Sequence, residues 1–229
     1  PTPSYSTTFE ERAHFIHIGN FRHAPNWDAV LHLKQTLWPA IKKALPYAEL
    51  HIYGAYPPKK ATQLHNDKQG FLVKGWAEDV TSLMASAKVL IAPLRFGAGI
   101  KGKLLDAMRC STPSITTWVG VEGIISTSKN DRTECRSQTD VWPGAVCSTD
   151  ITKLEVIQDY VNQAVSLYTN KDVWESASLQ AKKTLDIFSA KQPDISLTDK
   201  MISLKNEIDG HRKTLFMQSL LWHQTLSAS

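Results

Sequence analysis

The chain has 229 residues, 42% apolar and 21% charged, a balance that suits a globular domain and excludes a disordered or disulfide-scaffold chain. A net charge of +4 is too mild to mark a nucleic-acid binder, which carries clustered basic stripes, but it suits an anionic small molecule. The three cysteines, Cys110, Cys135 and Cys147, are odd in number and form no CxxC pair, so neither a zinc site nor a closed disulfide set is expected. A reducing compartment is then the default, cytoplasmic or cytosol-facing rather than secreted. No apolar run reaches the roughly 18 to 20 residues of a membrane span. No signal peptide opens the chain, and a first residue of Pro1 reads as a fragment or a processed chain.

Residues 1 to 12 are polar and rich in Pro, Ser and Thr, the composition of a linker or an arm. HFIHI, residues 14 to 18, reads as a strand, followed by a turn-rich loop in which Asn26 is the expected N-cap of a helix reaching about Leu45. AELHIYG (48 to 54) is a second strand, after which Pro57 and Pro58 are expected in the first turn of a helix. FLVKGW (71 to 76) is a third strand, and residues 78 to 87 a short helix with Asp79 near its start. Strand 88 to 92, helix 101 to 110 and strand 113 to 117 continue the alternation. Residues 126 to 144 are polar without periodicity and read as a surface insertion, before a last strand at 145 to 149. Two helices are expected from Ile151 to about Phe188, and a final one over about 198 to 226, beyond the break at Pro193.

Alternating strands and helices predict an α/β fold, a doubly wound parallel sheet of Rossmann type over residues 13–190, with a linker at 1–12 and a helical extension at 191–229. In such sheets ligands gather at the carboxyl ends of the strands, here loops 19 to 26, 54 to 58, 74 to 78, 93 to 100 and 118 to 124. The loop PLRFGAGIKGK, residues 93 to 103, is the most informative of them. It matches neither GxGxxG nor the P-loop pattern. Yet Gly97, Gly99 and Gly102 follow an apolar strand and precede a helix, so backbone N–H groups and the positive helix end would face an anion. Lys103 lies in the first turn of that helix, an unfavourable place for a cation unless an anion compensates it. The competing reading is a surface loop with solvated lysines. His14, His17, His32, His51 and His65 lack metal-ligand spacing and read as strand or surface residues, and Trp27, Trp38 and Trp174 as core.

The segment resembles the nucleotide-binding half of GT-B glycosyltransferases, particularly retaining family 4 and its group-1 relatives, in which a strand ending in Pro leads through a glycine loop into a helix of the type EAMAxGxPVV. The counterparts are Ala92-Pro93-Leu94, Phe96 to Gly99, and Leu105 to Ile115. Upstream, Gly19-Asn20-Phe21 resembles the first-strand glycine loop of that family, and Val73-Lys74-Gly75-Trp76 with Asp79 its third-strand motif.

The resemblance implies that Lys103, with Arg22 or Arg95, neutralises a diphosphate, and that amides from Gly99 through Ile100 to Lys101 bind the same group. Lys103 and Arg95 are thus the expected catalytic charges. Asp106 would hold ribose hydroxyls, the loop of Lys74 and Gly75 would flank the base, and Gly19, Phe21, Gly97 and Ala98 would line the donor site. Glu122 is either a sugar contact or a turn residue. Two departures stand out: the carboxylate that usually contacts the donor sugar is replaced by Ala98, and Ser111 replaces a glycine. The implied function is transfer of a sugar from a nucleotide diphosphate sugar, such as a UDP- or GDP-sugar, to an unknown acceptor held by an N-terminal GT-B domain outside this chain. Retention, no metal, no cofactor, no nucleic acid and no transmembrane segment belong to the same expectation. The alternatives are a nucleotide-sugar epimerase of the same architecture and a non-catalytic nucleotide-binding or scaffolding module.

Overall fold

The six apolar runs expected as strands form one sheet in a computed structural model that describes residues 7–125, 136–137 and 142–190. They are β1 (Ala13–Ile18), β2 (Leu50–Tyr53), β3 (Phe71–Gly75), β4 (Ala87–Ala92), β5 (Ser114–Thr117) and β7 (Gly144–Cys147), with a two-residue β6 (Arg136–Ser137) between the last two. The order across the sheet is β3-β2-β1-β4-β5-β7-β6. All neighbours run parallel except β6, which pairs antiparallel with β7. The central strands are covered on both faces, which is why they read as unbroken apolar runs. On one face Phe15, Ile52, Val89 and Ile91 pack beneath α1 (Ala24–His32), α2 (Trp38–Ala44) and α7 (Leu154–Thr169). On the other, Ile16, Leu90 and Ala92 pack with α4 (Val80–Ser86) and α5 (Gly102–Arg109). Among the described residues the other α-helices are α3 (Lys59–Thr62), α6 (Trp118–Val121) and α8 (Lys171–Ala190).

Several boundaries differ from expectation, each for a local reason. The helix after β1 starts at Ala24 with Pro25 in its first turn, where the missing N–H costs nothing, so Asn26 lies inside the helix rather than at its cap. The helix does not run straight to Leu45: residues Leu33–Leu37 form a π-helical turn ahead of Pro39, a residue that cannot donate to the helix ladder. Pro58 is the residue before α3 rather than part of it. Loop 118 to 124 begins as α6, and β6 appears inside the stretch read as an insertion. Ser111, at φ 52, holds the left-handed conformation that suits the glycine it replaces.

Residues 7 to 12 are not a free linker. The Arg12 guanidinium is 2% exposed and donates to the carbonyls of Ala87 (3.2 Å) and Cys110 (2.7 Å) and to Thr112 Oγ1 (2.6 Å), tying the segment to the amino edge of the sheet. Cys147 is disulfide-bonded while Cys110 is free and buried, which corrects the cysteine reading: an odd count leaves one thiol over and does not exclude a bridge. Among the described residues no helix is long and apolar enough to cross a membrane. The expected helix over 198 to 226, the rest of the extension at 191 to 229 and residues 1 to 6 lie outside the described residues.

Candidate ligand-binding crevice

A doubly wound sheet binds ligands where the strand order reverses, and here that point lies between β1 and β4. The loop after β4 stands between two others at this edge. A Cβ placed on Gly97 would lie 3.1 Å from Pro25 Cγ in α1, and one on Gly123 would lie 3.1 Å from Ile100 Cγ1. Gly97 (φ 124) and Gly99 (φ 77) take conformations that L-residues rarely adopt, so the loop needs them to turn at all. Above Gly99 and Gly102 nothing lies within 4 Å of such a Cβ, so the backbone is open to a ligand there. The start of α5 has no side-chain cap: Lys101 occupies the cap position, and its Nζ donates instead to the Gly99 carbonyl at 2.5 Å. Uncapped first-turn N–H groups together with the helix dipole form an anion cradle.

Lys103 supplies the charge beside that cradle. Its partly buried Nζ donates to Asn26 Oδ1 at 2.7 Å, and burial, followed by repulsion from Lys101, pushes its pKa down to about 7. His17, 1% exposed on β1, lies close enough to Lys103 to feel its charge. Its Nδ1 carries the proton, since it meets the Ile91 carbonyl at 2.8 Å and a carbonyl only accepts. Its Nε2 is buried without a hydrogen-bond partner, and burial, with Lys103 as the next cause, pushes the ring pKa down to about 3. Lys103 is therefore an ammonium poised between charged and neutral at physiological pH, with a neutral imidazole nearby.

The structure brings together some of the expected residues and separates others. Gly97, Gly99, Lys101 and Lys103 share the crevice, with Ala98 and Ile100 exposed on its rim. Burial lowers the Lys101 pKa, and the charge of nearby Glu122 opposes that shift without reversing it. Arg95 turns away from this anion site: its guanidinium forms a two-point ion pair with Asp28 of α1, Nε meeting Oδ2 at 2.9 Å. Phe21 is a core residue, 5% exposed and edge-on to Trp27. Gly19 serves packing, because a Cβ there would lie 2.6 Å from Asn26 Cγ. Arg22 stacks over the Tyr56 ring at 4.0 Å, in a separate cavity of about 640 Å³ lined by Trp27, Tyr56, Pro57 and Lys60. Lys74 and Gly75 stand at the end of edge strand β3, two strands out from β1. Asp106 pairs with Arg109 at 2.6 Å on the surface of α5.

Asn26 and His17 were the residues that sequence reasoning missed. For His17 the alternation of HFIHI held a signal, since it places His17 on the same side of the strand as the core residue Phe15. Among the described residues no group of three or more His, Cys, Asp or Glu side chains is placed to hold a metal ion.

The sequence profile of the glycosyl transferases group 1 family matches residues 12–140. Among solved structures, TarM of S. aureus is similar with a TM-score of 0.61 at 16% identity, over 87% of this chain and 36% of that one. The pneumococcal O-GlcNAc transferase GtfA in complex with UDP and GlcNAc gives 0.53 at 15% identity, over 80% and 34%. Anabaena HepE in complex with UDP and glucose gives 0.56 at 12% identity, over 87% and 49%. At these identities the likeness is one of fold, and the chain spans between about a third and a half of the length of these structures. No curated protein matches its sequence.

Proposed function

Because the chain belongs to the glycosyl transferases group 1 family, we propose that it is the nucleotide-sugar-binding, C-terminal half of a family 4 GT-B glycosyltransferase. It would take a nucleotide diphosphate sugar, and another domain would hold the acceptor. The observation that carries this reading is the meeting of the Lys103 ammonium with the uncapped start of α5 at the switch point between β1 and β4. UDP-sugars are the first donors to try, since the GtfA and HepE structures hold UDP. A domain facing this edge agrees with its apolar rim, where Tyr56, Trp76, Phe96 and Ile100 are 59%, 67%, 46% and 49% exposed.

Transfer is limited by departure of the nucleoside diphosphate from an oxocarbenium-like centre, so fixed positive charge placed where negative charge develops lowers the barrier. Lys103 and the first-turn amides of α5 occupy that role without a metal. Asp106 would exchange Arg109 for the ribose hydroxyls, and the loop of Lys74 and Gly75 would flank the base. Glu122 is the carboxylate on the rim opposite Lys101, and we assign it the sugar contact that Ala98 does not make. Retention of configuration follows from the family 4 assignment. A non-catalytic nucleotide-binding module is the second reading, favoured by Ala98.

Calorimetric titration with UDP-, GDP- and ADP-sugars, on the parent and on Lys103→Ala and Asp106→Ala, tests the proposal. One donor binds the parent, and each variant weakens it tenfold or more. Failure of every donor to bind, or variants that bind like the parent, would overturn it.

A further inference from the structure

We infer that Asn26 is a positioning residue for Lys103, clamping the loop after β1 to the start of α5 across the switch point. The side chain is held at both ends. Its Oδ1 accepts from Lys103 Nζ at 2.7 Å, and its Nδ2 donates to the Asn20 carbonyl at 3.1 Å. Asn20 in turn accepts from the Arg22 amide through its own side chain at 2.8 Å, so the loop that seats Asn26 is braced as well. Gly19 completes the seat: any side chain there would collide with the Asn26 amide. A helix position in the first turn fixes the Cα, and the two hydrogen bonds and the glycine fix the rotamer.

Among the described residues, Asn26 Oδ1 is the acceptor that Lys103 Nζ meets. Lys101, just ahead of Lys103, repels it. Arg95 and Asp28 are closed on each other, and Glu122 faces Lys101. His17 is neutral and lies close enough to Lys103 to feel its charge. Asn26 is a neutral acceptor, and this matters chemically. A carboxylate in its place would hold the ammonium but compete with a diphosphate for it, whereas an amide oxygen orients the ammonium and leaves its charge for the ligand. The consequence for ligand binding rests on the diphosphate reading of the crevice; the placement of Lys103 does not.

The test measures the titration midpoint of Lys103 by heteronuclear NMR of lysine side chains, with the resonance assigned from Lys103→Arg, in the parent, Asn26→Ala and Asn26→Asp. Loss of the acceptor in Asn26→Ala lowers the midpoint, and the near-isosteric carboxylate in Asn26→Asp raises it. General loosening of the site would move both variants the same way, toward the ordinary lysine range. UDP titrated at pH 7 is expected to bind each variant about tenfold more weakly, the size of one charge-assisted hydrogen bond or its competitor. Midpoints that coincide in all three proteins, or that move together, overturn the inference. Midpoints that move apart while the parent binds no nucleotide leave the Asn26 role standing and overturn the diphosphate reading instead.

Discussion

Acid should destabilise this fold well before its carboxylates titrate, and His17 is the sharpest place to see it. The ring is 1% exposed and neutral in the folded chain, with its pKa pushed from 6.5 to about 3, chiefly by burial. The unfolded chain therefore binds a proton near pH 6.5 that the folded chain refuses until about pH 3. Where the unfolded state binds more protons, stability rises with pH, so it falls as pH drops through this window. Each pH unit below 6.5 costs about 1.4 kcal/mol per such histidine, and at pH 4.5 His17 alone costs about 2.7 kcal/mol. His14, held down to about 4 by burial and then by His51, adds a parallel loss. Urea denaturation at pH 7.5, 6.5, 5.5 and 4.5 reads the slope. In His17→Gln, which keeps an N–H for the Ile91 carbonyl but cannot titrate, the fall between pH 6.5 and 4.5 is smaller by about 2 to 3 kcal/mol. Equal slopes in parent and variant would refute the account of a buried, neutral His17.

Other perturbations test the remaining parts of the site and its frame. Arg12→Ala leaves the carbonyls of Ala87 and Cys110 without their donor and costs about 3 kcal/mol or more in chemical denaturation. A loss under about 1 kcal/mol would show that residues 7 to 12 are a linker after all. Gly99→Ala, at φ 77, costs about 1 to 2 kcal/mol of backbone strain, while Gly102→Ala, in open space at the start of α5, leaves the denaturation midpoint unchanged. Arg95→Ala changes nucleotide affinity less than about threefold in calorimetry, because its guanidinium belongs to Asp28, whereas a tenfold loss would return Arg95 to the anion site.

The sheet was legible because parallel strands buried on both faces leave short apolar runs, and turn residues punctuate them: all six formed where 14 to 18, 48 to 54, 71 to 76, 88 to 92, 113 to 117 and 145 to 149 were read. Lys103 was legible as a broken local rule, a cation in the first turn of a helix. The partners of these residues were not. Asp28 lies 67 positions from Arg95 and Asn26 lies 77 from Lys103, so no window of sequence contains either pair. Asn26 was also masked by its own chemistry, since an Asn near a helix start reads as a cap until Pro25 moves the start ahead of it. The two residues of β6 carry no signal because their pairing comes from the neighbouring strand, and odd cysteine counts hide a bridge as readily as they exclude one.

Amide hydrogen exchange with and without a nucleoside diphosphate tests the central claim most directly, because the proposed ligands are largely backbone N–H groups. With saturating UDP, GDP or ADP, protection is expected over residues 97 to 104 and over 19 to 26 across the crevice, and it should weaken in Lys103→Ala. Protection confined to the cavity of Arg22, Trp27 and Tyr56, or none with any of the three nucleotides, would contradict a diphosphate site at the start of α5.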